Sequence, residues 1–73
     1  MIGKGEQDFI TERARSLLVR WGDQCLLEGK IPEAEAQKHG LYLDCAREKG
    51  WVSKRDLVLT GKGYAAAAAF LRR

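Results

Sequence analysis

Residues 47–60 read Arg47-Glu48-Lys49-Gly50-Trp51-Val52-Ser53-Lys54-Arg55-Asp56-Leu57-Val58-Leu59-Thr60, and their reading decides the fold. Two short β-prone pieces, Trp51-Val52 and Leu57-Val58-Leu59, flank the polar tip Ser53-Lys54-Arg55-Asp56. Apolar residues on both sides of a charged tip predict a β-hairpin, with a loop longer than the two-residue Asn-Gly kind. Gly50 separates this hairpin from whatever precedes it. Thr60 offers a side-chain oxygen to cap whatever follows.

Upstream, the pattern is helical. Ile10, Ala14, Leu17, Leu18, Trp21 and Cys25 fall on one face of a 3.6-residue period, a core-facing stripe. Asp8 or Thr11 is suited to cap this helix, and Gly29 to close it in a left-handed conformation. Gly22 costs about 1 kcal/mol against Ala in a helix interior, so a kink or break is expected at Gly22-Asp23. Pro32 suits a first helical position, and Glu33 and Glu35 complement a positive helix start. A second helix is expected from Pro32 to His39, with Gly40 as the break. A third follows from Leu41 to Lys49, ended by Gly50. One unbroken helix from Pro32 to Lys49 is the competing reading, disfavoured by Gly40. Downstream, Gly61-Lys62-Gly63 reads as a loose start to a final helix that places Tyr64, Ala67, Ala68 and Leu71 on one face. Its five alanines, Ala65 to Ala69, have the highest intrinsic helix propensity and make a thin helix that can lie close to a neighbour.

The chain has 73 residues, of which 45% are apolar and 32% charged. That is one domain with a small but real core, and too much apolar residue for a disordered chain. A single domain from 1 to 73 is expected, with residues 1–7 a mobile N-terminus. No segment approaches the ~20 apolar residues of a membrane span. Met1-Ile2-Gly3-Lys4-Gly5-Glu6 has no apolar export core behind it, so a cytoplasmic location is expected. The two cysteines, Cys25 and Cys45, are then expected reduced. Cys25, His39 and Cys45 lack the paired spacing of a zinc site, so no metal and no cofactor is expected. One histidine and little interior leave nothing from which to build a catalytic dyad, so the chain is not expected to be an enzyme.

The net charge is +3. The excess lies in the last third, where Lys54, Arg55, Lys62, Arg72 and Arg73 face Asp56 alone. A basic end of this kind points to a polyanion partner.

The run from Arg47 through the tip at 53–56 to Leu57-Val58-Leu59-Thr60-Gly61-Lys62-Gly63-Tyr64 and an Ala-rich helix resembles the winged helix-turn-helix superfamily, in its small bacterial and archaeal regulator type. The resemblance covers about residues 46–72. It implies an α+β, mostly α fold: three helices, a β-hairpin wing and a C-terminal helix. It implies duplex DNA as partner, with the third helix in the major groove, and a role as transcriptional regulator or accessory DNA-binding factor. The residues so implied are Tyr42, Arg47 and Lys49 on the third helix, and Lys54 and Arg55 on the wing. The third helix also carries Asp44 and Glu48, which leaves it neutral. A homodimer is an associated expectation, since the thin alanine face suits helix–helix approach either within one chain or between two. The alternative from another class is a protein–protein interaction module without DNA binding, motivated by the apolar wealth of Trp21, Leu26, Leu27, Phe70 and Leu71.

Overall fold

A computed structural model describes residues 4–72 of the chain, with side chains from Asp8 onward. Four helices follow one another: α1 (Lys4–Glu28), α2 (Glu33–Lys38), α3 (Gly40–Glu48) and α4 (Gly61–Leu71). At a 1.5 Å rise per residue, the 25 residues of α1 span about 37 Å. That is the longest dimension of the molecule, 37 Å. α1 is thus the spine, and α3 and α4 pack along it.

The stripe on α1 forms the core from Ala14 onward, while Ile10 at its start is only half-buried and outside the core. Ala14, Leu17, Leu18, Trp21 and Cys25 are buried, and Trp21 and Leu18 are fully so. They meet Ile31, Ala36, Leu43, Ala46, Trp51, Val52, Leu59 and Ala67 in one core. α1 does not break at Gly22. The helix runs unbroken to Glu28, because Gly22 is covered by the Leu59 side chain and the Tyr64 ring, which shield its backbone from water. Gly29 closes the helix with φ +85° and its N–H on the Cys25 carbonyl. The expected mobile stretch at 1–7 divides: residues 1–3 lie outside the described residues, and the backbone of 4–7 forms the first turn of α1.

Pro32 stands one residue before α2, as its cap position, with extended ψ 140°. The break between α2 and α3 falls at His39 (φ −118°, ψ 38°), one residue ahead of the expected glycine, and Gly40 is already helical. Gly50 takes φ +79° beyond α3, a conformation that favours glycine. α4 has a firm start rather than a loose one. The Thr60 hydroxyl accepts from the Gly63 N–H at 3.2 Å and donates to the Gly50 carbonyl. One side of the alanine run packs within the chain, Ala67 buried against α1 and Ala66 half-buried, while Ala65, Ala68 and Ala69 are exposed.

The β-hairpin wing is not formed, and with it the α+β winged helix-turn-helix class gives way to an all-helical domain. The chain does double back after Trp51, but one antiparallel bridge pair, Val52 with Leu59, is all the pairing it makes, and no sheet exists among the described residues. The reason is where the backbone groups go. Ser53 N–H reaches the Val58 carbonyl and Thr60 N–H reaches the Trp51 carbonyl, both at 2.9 Å. Beyond that pair the tip folds on itself. The Ser53 hydroxyl accepts from the amides of Arg55 and Asp56, both at 3.3 Å. The Leu57 carbonyl accepts instead from Ile31 N–H, in the linker between α1 and α2. Groups that a ladder needs are satisfied elsewhere, and a side-chain turn wins over a strand.

Candidate nucleic-acid interface

Lys54 and Arg55 sit at the tip of the 53–56 loop, exposed to solvent. Among the described residues neither has a carboxylate within ion-pair distance. Their backbone is not loose. From α3, Arg47 donates Nε–H to the Ser53 carbonyl at 3.0 Å and Nη2–H to the Asp56 carbonyl at 3.5 Å. With the Ser53 turn, these bonds hold both ends of the tip. Arg47 is half-buried in doing so. It therefore acts as a clamp behind the two cations rather than as an exposed cation itself.

Arg47→Lys keeps the charge but loses the planar fork that reaches two carbonyls. It is expected to lower stability by about 1 kcal/mol and to speed amide hydrogen exchange at Arg55 and Asp56. Unchanged exchange at both amides would show that Arg47 does not hold the tip.

The remaining α3 residues lie apart from the tip. Tyr42 is half-buried, its ring 6.2 Å from that of His39 in a tilted pair. Lys49 is exposed in the C-cap position of α3, where a cation complements the helix dipole. The outward row of α3 is Leu41, Asp44 and Glu48, all exposed. Between α2, α3 and Leu57 lies a shallow groove of about 350 Å³, whose charged lining is Glu33, Asp44 and Arg47. Two carboxylates against one engaged guanidinium make this side of α3 a poor surface for base edges flanked by phosphates.

A further exposed cation, invisible to local sequence reasoning, lies on the linker that adjoins the foot of the tip. Lys30 is exposed, and the next residue, Ile31, donates its amide to Leu57, immediately after the tip. That bond brings the α1–α2 linker alongside the loop across 26 residues of chain. Ile31, its apolar neighbour, is fully buried and turns the linker inward.

Elsewhere, sequence reasoning missed a buried charge. Glu35 is 8% exposed on α2. Its Oε1 lies 3.3 Å from Arg20 Nε and 3.6 Å from His39 Nε2. This cluster ties α2 to α1 and to the α2–α3 junction, so it orients the helix pair that carries Arg47. The acidic start of a six-residue helix was the visible signal, read there as dipole compensation alone. Tyr64, 40% exposed, has its phenol held above its ordinary value of 10, first by partial desolvation and then by the neighbouring Cys25 thiol. Cys25 and Cys45 are both free thiols. Among the described residues no group of three His, Cys, Asp or Glu side chains is arranged to hold a metal ion, and no helix is long and apolar enough to cross a membrane. The apolar residues weighed as surplus divide: Trp21 is fully buried, Phe70 partly so, and Leu26, Leu27 and Leu71 are exposed. No family model, curated protein or solved structure matches the chain.

Proposed function

We propose that the protein binds duplex DNA through phosphate contacts from Lys54 and Arg55 at the 53–56 tip, joined by Lys30 from the adjoining linker. The reading makes it an accessory DNA-binding factor of low sequence preference rather than a base-reading regulator. The observation that carries it is a pair of exposed cations, without carboxylate partners, on a tip fixed by Arg47 and Ser53. Exposed cations lose little hydration on meeting phosphates, and counterions released from the duplex supply the driving force. A fixed tip loses less conformational entropy on binding than a floppy one. α3 supports the tip from behind, and its acidic outer row keeps it away from the duplex.

Fluorescence anisotropy with a random-sequence duplex tests this. Affinity is expected to fall with salt at a log–log slope of about −2.7, for three phosphates at −0.9 each. Lys54→Ala with Arg55→Ala is expected to bring the slope to about −0.9. Absence of binding at low ionic strength, or a double variant indistinguishable from the parent, would contradict the proposal. The former result would leave the protein-interaction reading, which the exposure of Leu26, Leu27, Leu41 and Leu71 favours.

A further inference from the structure

We infer that the protein forms a closed two-fold dimer through the face that α1 shares with α3 and α4, the basic half of one copy lying on the acidic half of the other. This goes beyond DNA binding and uses a different surface from the loop tip.

Two grooves lie side by side on that face. The larger, about 520 Å³, runs between α1 and α4 and is lined by Arg15, Trp51, Lys62, Ala65, Ala69 and Phe70 among others. The smaller, about 250 Å³, runs between α1 and α3 and is lined by Ile10, Leu41, Asp44, Glu48 and Lys49 among others. They adjoin at two places. Thr11 of the smaller and Arg15 of the larger are one helical turn apart on α1. Lys49 and Trp51 flank Gly50, and the Lys62 ammonium lies 3.9 Å from where a Cβ on Gly50 would stand.

The halves are opposite in charge. No carboxylate lines the larger groove; its charged residues are Arg15, over the Trp51 ring at 5.5 Å, and Lys62. Arg15 is also paired with Glu12 at 3.0 Å, so Lys62 is the main electrostatic anchor. The smaller groove presents Asp44 and Glu48 against Lys49. Among the described residues Asp44, Glu48 and Lys62 form no ion pair within the chain, although they share a face.

Shape agrees with charge. Leu41, Asp44 and Glu48 are spaced i, i+3, i+7, one outward stripe of α3. Leu41 is 60% exposed. Ala65 and Ala69 give the larger groove a low floor between Trp51 and Phe70, which lets a second helix come near. In the dimer Leu41 of one copy seats on that floor, with its Asp44 and Glu48 towards Lys62 of the other. A face carrying both halves is self-complementary under a two-fold rotation, so each contact is made twice and the assembly closes. Pairing α4 with α4 instead would set Lys62 against Arg72, since α4 carries no acid.

Sedimentation velocity on the full chain tests this. A particle of two 8.2 kDa chains is expected at high concentration and low salt, dissociating as salt rises. Lys62→Glu alone and Glu48→Lys alone are each expected to weaken self-association at least about tenfold. Both residues are exposed, and far-UV circular dichroism checks that each variant is folded. An equimolar mixture of the two variants is expected to restore the two-chain particle, because both symmetric contacts again join acid to base. The inference is overturned by a monomer at every concentration, by Lys62→Glu dimerising like the parent, by a mixture that stays monomeric, or by particles growing beyond two chains. None of these results alters the salt slope expected for DNA.

Discussion

Gly63→Ala is expected to lower stability by about 3 kcal/mol or more, since among the described glycines only here would an added methyl run into backbone atoms. A Cβ on Gly63 would stand 2.0 Å from the Trp51 carbonyl oxygen and 2.9 Å from its carbon. Both are backbone atoms, and neither can swing aside. The Trp51 oxygen accepts the Thr60 amide, and Thr60 in turn caps α4 through Gly63. Moving α4 outward to make room therefore strains the doubled-back segment and the cap together. A domain of this length has roughly 4–11 kcal/mol of stability in all, so the loss is a large share of it. Gly61→Ala is the control within the same helical turn. Nothing lies within 4 Å of its Cβ, and removing backbone freedom from the unfolded chain is expected to stabilise by about 0.5 kcal/mol. Urea denaturation of the two variants checks the pair. Equal midpoints would mean that α4 does not lie against the Trp51 backbone.

Trp21→Ala is expected to cost about 3–5 kcal/mol, enough to leave much of the chain unfolded at physiological temperature. Trp21 is the largest fully buried side chain, at the centre of the α1 stripe. Deleting its ring opens a hole that a four-helix domain with a single core cannot close by small shifts. Trp21→Phe is expected to cost less than half as much. Phe keeps most of the ring's volume, and both variants remove an Nε1–H that is buried without an acceptor among the described residues, whose burial costs about 1–3 kcal/mol. Thermal unfolding by circular dichroism checks both. A Phe variant as damaged as the Ala variant would mean that the phenyl ring fills none of the hole, which would contradict the central place of Trp21 in the core.

What was legible in the sequence was local. The α1 stripe, the glycine that closes α1, the glycine beyond α3 and the Thr60 cap each depend on residues within a turn or two, and each stands as its chemistry directs. The doubled-back segment departs from the expected hairpin because the groups that compete with a ladder are distant or side-chain in origin. Arg47 reaches over from α3, Ile31 takes the Leu57 carbonyl from 26 residues away, and Ser53 offers the tip a turn of its own. Gly63 looked like looseness at a helix start. The Trp51 backbone that requires a glycine there is brought close only by tertiary structure. Of the residues singled out, Lys54 and Arg55 lie together at the tip, Arg47 supports them, and Tyr42 and Lys49 stand elsewhere on α3. Lys30 was silent because its neighbours in space are not its neighbours in chain.

Amide chemical-shift mapping on the uniformly labelled chain, titrated with a short random-sequence duplex at low salt, reads the binding surface directly. The largest shifts are expected at Lys30, Lys54, Arg55 and Asp56, with Leu41, Asp44 and Glu48 on the outer row of α3 unmoved. Shifts concentrated on that α3 row, or none anywhere as the duplex is added, would contradict binding through the cationic tip.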